Sequence, residues 1–279
     1  MRFEMGCELS YEVEVPSLFI LNVEVASIPA HAILAERLVV EPEVERRVHV
    51  RQETDNRYVA FTTPAGPLRI SYEASVDLRA ERADPAGIAE VPLEAVPLGI
   101  FHYLLPSRFC PSDRLAEFAA REFGELPKGH ARVTAICNWI YTHIAYVRGT
   151  SDAETAATDT IIARAGVCRD FSHLGVALCR GLGIPARFVS CYAPGLEPSD
   201  FHAVFEAWLG DRWWLFDPTR QAVLNGLVRI GAGRDTAEVS FATIYGAVRP
   251  LPPRIRIAPA DGGALPPART TDAIATASC

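Results

Sequence analysis

The sequence lacks a CxxC pair, a long apolar run and an excess of positive charge. Each absence removes a class of answer. Its seven cysteines (Cys7, Cys110, Cys137, Cys168, Cys179, Cys191 and Cys279) are odd in number and scattered, which argues against a disulfide framework or a structural zinc site and for a reducing compartment. No apolar run approaches the roughly 20 residues needed to span a bilayer. The opening MRFEMGCELSYEVEV has no apolar core of signal-peptide length. A cytoplasmic protein without a membrane partner is the expectation. Lys and Arg number 27 against 34 Asp and Glu, a formal charge of −7. No basic field is therefore available to attract nucleic acid or an anionic membrane surface.

What is present is ordinary globular composition, 49% apolar and 22% charged over 279 residues. That length suggests two domains, since a domain usually takes roughly 100–200 residues. Strand-like runs fill the first eighty residues, at 9–15, 18–25, 33–40, 46–52, 57–62 and 68–78, with turn chemistry at Asp55-Asn56 and Pro64-Ala65-Gly66-Pro67. Helical periodicity is absent there, and an antiparallel sandwich or barrel is expected. His31 and His49 are isolated and read as ordinary surface or half-buried histidines. Prolines at 85, 92, 97, 106 and 111 mark a connecting segment. The expected division is a β-domain with linker over 1–105, a second domain over 106–248, and a flexible Pro/Ala-rich tail over 249–279.

Helices are expected from Ser112 or Asp113 to about Phe123, and from about His130 to Ala145, where Val133, Ile136, Ile140, Ile144 and Val147 form an apolar stripe. Trp139 and His143 flank that stripe and read as packing residues. A polar loop (149–160) and a short helix (about 158–165) precede a helix over Cys168–Gly181. Strands follow at Ala186–Tyr192, His202–Leu209 and Arg212–Asp217, then at Leu227–Ile230 and Val239–Tyr245.

The stretch from Gly166 to Arg220 carries the chemistry. A thiol with a pKa of about 8.5 is mostly protonated at neutral pH, and a helix N-terminus or an adjacent imidazolium lowers that value. Cys168 stands where a helix begins, and unpaired N–H groups there can serve an oxyanion. His173, five residues on, would point roughly 140° away and about 7.5 Å along the axis. It reads as structural, and His202, on a separate element, as the base. Gly210-Asp211 looks like a two-residue hairpin turn. That register sets Val204 opposite Asp217 and His202 opposite Thr219, so His202 and Asp217 are diagonal neighbours on one face. Asp217 can then orient the imidazole. Asp211 lies in the turn, and Asp170 simply suits the helix dipole. A metal site from Cys168, His173 and His202 fits no ligand spacing.

GVCRDFSHL, GIPARFVSCY, DFHAVFEAWL and WWLFDPT, with SRFCPSD upstream, resemble the transglutaminase-like superfamily over residues 110–246. With the β-rich front half, they resemble its bacterial branch of transglutaminase-like proteins and cysteine proteases. The resemblance implies an α+β fold: a papain-like core, its cysteine helix packed on an antiparallel sheet, preceded by an all-β sandwich-like domain. It implies Cys168 as nucleophile, His202 as base and Asp217 as third member, acting on a peptide or protein amide substrate. Animal members use an upstream tryptophan N–H at the oxyanion. Trp139 lies upstream here, but within an amphipathic helix, and Tyr146 is the alternative donor. No EF-hand-like acidic loop is present, and no metal or cofactor is expected. Hydrolysis is expected over amine transfer, because water is abundant and nothing marks an amine site. The alternatives are a protein-glutamine transglutaminase and a non-catalytic binding module, the latter opposed by the intact Cys, His and Asp set. Oligomeric state is not legible.

Overall fold

The structure, a computed structural model, describes residues 1–263 and 272–276. Six strands come first: β1 (Arg2–Val13), β2 (Ser17–Leu21), β3 (His31–Glu41), β4 (Arg47–Arg51), β5 (Asn56–Thr63) and β6 (Gly66–Leu78). In β1, Phe3, Met5, Leu9, Tyr11 and Val13 are buried. Their partners in β6 include Val76, Ile70 and Leu68. This period of two puts one face of the sheet inward. Facing it, β2 and β5 contribute Phe19 and Phe61, whose rings stack at 5.5 Å, and Tyr11 meets Phe19 edge-on at 5.2 Å. The all-β front half is therefore a sandwich.

The connecting segment holds β7 (Glu81–Ala83) and three short 3-10 turns, the last at Leu98–Leu104. The second half is mixed: α1 (Ser112–Phe123), α2 (His130–His143), β8 (Ala145–Tyr146), α3 (Ala157–Ala163), β9 (Ala165–Gly166), α4 (Cys168–Gly181), β10 (Ala186–Tyr192), β11 (Phe201–Leu209), β12 (Arg212–Phe216), β13 (Val228–Gly233) and α5 (Thr236–Val239). Its antiparallel sheet runs β12-β11-β10-β13. The α4 helix lies on that sheet with Phe171, Leu174 and Leu178 buried. Gly175 makes the close approach possible, because a Cβ there would sit 2.5 Å from the Phe205 ring. This is the α+β core with its cysteine helix on an antiparallel sheet.

The chain then returns to the sandwich through β14 (Ala242–Tyr245), β15 (Val248–Pro250) and β16 (Arg254–Pro259), and beyond the undescribed stretch β17 (Ala273–Ala275) packs into the core of the second half. The expectation of a mobile tail over 249–279 is corrected here. β15 and β16 pair with β1, and β17 pairs with β7. The cause is an alternation hidden by the proline content. Ile255 and Ile257 interleave with Arg254 and Arg256, and Pro250 and Pro259 fall at strand ends, where no ladder bond is interrupted. The Val239–Tyr245 strand is also corrected: its first residue ends α5, and the strand itself, β14, pairs with β2. The remainder of the expected tail, residues 264–271 and 277–279, lies outside the described residues.

The two halves are bonded to each other. Asn56 donates to the Ala232 carbonyl and accepts from the Ala232 N–H, both at 2.9 Å. The Tyr192 hydroxyl donates to the Val23 carbonyl at 2.8 Å. Tyr192, Val228 and Ile230 complete the apolar core of the sandwich.

Candidate active site

Cys168 is the first residue of α4. The Asp170 carboxylate, fully buried, accepts from the Val167 N–H at 2.8 Å and pairs with Arg169 at 3.0 Å. Asp170 thus does more than suit the helix dipole, because it fixes the turn on which the cysteine stands. Gly166 is required beside it: a Cβ there would lie 2.7 Å from the Asp170 Cβ. The sulfur is partly exposed, whereas Cys7, Cys110, Cys137, Cys179 and Cys191 are buried, and burial pushes the thiols of those five up.

The hairpin has the expected register, with Leu209 opposite Arg212 and Phe205 opposite Phe216. Gly210 takes φ +66°, the left-handed conformation that suits glycine in such a turn. Asp217 follows the last residue of β12, and its Oδ2 lies 3.0 Å from His202 Nε2. Oδ2 also accepts from the Ala222 N–H at 3.1 Å. Oδ1 accepts from the Thr219 N–H and hydroxyl, at 2.9 and 2.7 Å. Burial alone would lower the His202 pKa, but the Asp217 carboxylate and the neighbouring Cys168 thiol outweigh it and hold the imidazole up at about 10. Burial opposes the Asp217 charge, yet His202 and the Thr219 donors keep this carboxyl below its usual range. Because Nε2 faces Asp217, Nδ1 is the nitrogen left for Cys168. The structure thus brings Cys168, His202 and Asp217 together.

The sequence model of the transglutaminase-like superfamily matches residues 117–218, and that of the bacterial transglutaminase N-terminal domain matches residues 1–95. A crystal structure from Cytophaga hutchinsonii, designated a "putative cysteine protease", is 38% identical. It covers 98% of this chain and 96% of its own, at a TM-score of 0.94. The chain belongs to the transglutaminase-like superfamily. An uncharacterized protein of Mycobacterium leprae is 28% identical over 149 residues, 49% of this chain and 52% of that protein. The chain therefore matches about half the length of that relative. An uncharacterized protein of Mycobacterium bovis is 28% identical over 245 residues, 74% of each chain.

Within this transglutaminase-like core, the two upstream aromatic residues separate clearly. Trp139 packs against Phe118 and Phe123 and stacks on His143 at 4.4 Å. Tyr146 is on β8, which pairs in parallel with β9 and sets Tyr146 opposite Gly166. Its hydroxyl lies beside the Cys168 N–H and sulfur. Burial and the sulfur raise the phenol pKa to about 12, so it remains an O–H donor at neutral pH. A cavity of about 390 Å³, lined by Tyr146, Arg148, Leu196, Glu197 and Gln221, opens next to it. His173 is buried between Phe109 and Phe188 and accepts from the Thr236 N–H at 3.3 Å. It ties α4 to α5, as a structural histidine does. His31 is buried and bonded to the Ala26 carbonyl, and His49 is exposed. Thr219 and the Ala222 N–H are the site groups that sequence reasoning left unassigned. The Asp-Pro-Thr run was a local signal only for Thr219.

Proposed function

We propose that this protein performs thiol-dependent acyl chemistry on peptide or amide substrates, and that the second acceptor is water. The observation that carries the reading is a partly exposed Cys168 at a helix start, beside a buried imidazole that a buried carboxylate keeps charged. The sulfur attacks the amide carbon, and the thiol proton resides on His202 Nδ1. Negative charge develops on the carbonyl oxygen, where the Cys168 N–H and the Tyr146 hydroxyl are the donors. The C–N bond breaks as His202 gives its proton to the departing amine, leaving a thioester. Water then adds, losing a proton to His202. The thioester C–S bond breaks, and the carboxylic acid leaves as the thiol is regenerated. Asp217 holds the ring orientation throughout and steadies its charged form. An amine in place of water would give transfer, with the same residues in the same roles.

The test is mass spectrometry of glutamine-containing peptides incubated with the protein and a primary amine. Deamidation or chain cleavage without amine incorporation is expected. Amine incorporation as the main product would replace hydrolysis with transfer. No product at all, with Cys168 alkylated by iodoacetamide no faster than Cys179 and unaffected by His202→Ala, would refute a nucleophilic Cys168 and favour a binding module.

A further inference from the structure

A second cavity, of about 740 Å³, lies between the sandwich, the connecting segment and the end of the catalytic sheet formed by β10–β13. It falls in the roughly 300–1,000 Å³ range of small-molecule sites, and such sites favour domain interfaces. Arg187 of β10 and Arg229 of β13 line it, and both are at least 95% buried. One buried carboxylate, Glu206, serves both cations. It meets Arg187 Nε at 2.6 Å, but Arg229 Nη1 only at 3.9 Å. Two buried positive charges therefore face one buried negative charge, and burying an uncompensated charge is costly. Burial, with Arg187 next, pushes the Arg229 pKa down to about 10. Among the described residues, Arg229 Nε, Arg229 Nη1 and the Thr54 hydroxyl have no hydrogen-bond partner, and all three belong to lining residues.

One side of the wall is apolar and flat. The Arg187 guanidinium stands 4.1 Å from the Trp213 ring centroid, with Trp208 and Tyr103 packed edge-on against that ring at 5.3 and 5.1 Å. The exposed carboxylates of Glu53 and Asp211 also line the cavity, as does the half-buried carboxylate of Asp55, which acts on Arg229 and favours its charged form. They disfavour a multiply charged anion.

We propose that this interdomain cavity binds a small organic monocarboxylate with a flat apolar body, its carboxylate on Arg229, Arg187 and the Thr54 hydroxyl and its body against the Trp208–Trp213 wall. Among the buried groups a single negative charge balances the single excess positive charge, and a fork of guanidinium donors suits a carboxylate. The site is distinct from Cys168 and does not depend on the chemistry assigned there.

The test uses the full chain with phenylacetate and indole-3-acetate as probes, followed by calorimetry and tryptophan fluorescence, with phenylacetamide as the neutral control. Saturable binding of at least one carboxylate in the millimolar range or tighter is expected. The amide should bind at least about tenfold more weakly, as should either carboxylate to Arg229→Gln, since hydrogen bonds to charged groups are the stronger class. A Cβ at Gly99, another lining residue, meets open space, so Gly99→Phe adds a ring at the cavity wall without touching the buried charges. Binding should be lost in that variant, which decides the matter if Arg229→Gln fails to fold. No binding of either carboxylate, equal binding of the amide, or undiminished binding to Gly99→Phe would each overturn the proposal.

Discussion

Asp217→Asn keeps the shape of the side chain and removes its ability to accept on both sides. The carboxylate accepts four hydrogen bonds, from His202 Nε2, the Ala222 N–H, and the Thr219 N–H and hydroxyl. An amide has one oxygen and one NH2. With the oxygen toward Thr219, the NH2 faces the Ala222 N–H and His202 Nε2. Nε2 must then accept, so the ring proton moves to Nδ1, the nitrogen facing Cys168. The imidazole can no longer take a proton there. Wrong-tautomer variants of this kind lose roughly 10⁴-fold in turnover, and a loss of that order in kcat/KM for amide hydrolysis is expected. The stability cost is smaller. One buried N–H left against a donor costs about 1–3 kcal/mol, or roughly 2–12 °C in Tm for a chain of this size. The pH dependence separates charge from shape. His202 is raised in the folded state, so its contribution is complete below about pH 6.5 and is lost as pH rises toward about 10. Asp217 is depressed, so its contribution is present above about pH 3.9 and is lost on further acidification. The Tm gap between parent and variant should therefore be widest at about pH 4–6.5 and should narrow toward pH 10. Activity within tenfold of the parent, or a Tm gap independent of pH, would refute the assigned role.

Three further outcomes follow from the geometry. Tyr146→Phe should lower kcat by about 10²–10³-fold with little change in KM, the usual effect of deleting one oxyanion donor; unchanged kcat would leave the backbone N–H groups as the sole donors. Gly175→Ala should destabilise. The gain in helix propensity is at most about 1 kcal/mol, overpacking costs about 1–3 kcal/mol, and the Phe205 ring 2.5 Å away is itself stacked on Phe216. A higher Tm would show that α4 and β11 separate easily. Burial holds His31 and His173 down at about 3 and His130 at about 4, each neutral when folded. A histidine lowered in this way costs stability as pH falls below its unfolded value of about 6.5, on the order of 2 kcal/mol each by pH 5. Tm should therefore drop between pH 7 and pH 5, and replacing His130 with Gln should flatten that drop.

The site was legible where its determinants are local. A glycine two residues before Cys168 marks the helix start, and the Gly210-Asp211 turn sets a register that carries His202 toward Asp217. The structure reproduces both features. The fold was legible for the same reason. Alternation along β1, and the apolar stripe from Val133 to Ile144, report burial without reference to a partner, whereas Val147, expected on that stripe, lies beyond α2 and is exposed. What stayed hidden depends on partners distant in sequence. Proline content suggested a mobile end, yet β16 is held by β1, more than two hundred residues earlier in the chain. The exchange between Asn56 and Ala232 spans 176 positions.

The strand β11 shows where such reading stops. Its nine residues are Phe201, His202, Ala203, Val204, Phe205, Glu206, Ala207, Trp208 and Leu209, and only two of them ionise. Period two places His202 and Glu206 on the same side, roughly 13 Å apart. An ionisable residue inside an apolar strand must be compensated, because an unpaired buried charge is costly. For His202 the compensating group lies just beyond a hairpin turn, within reach of register arithmetic. For Glu206 it is Arg187 on the preceding strand and Arg229 on the far edge strand. No turn relates Arg229 to β11, so the sequence announces the need for a partner without identifying it. The excess positive charge at the domain interface appears only once β10, β11 and β13 are laid side by side.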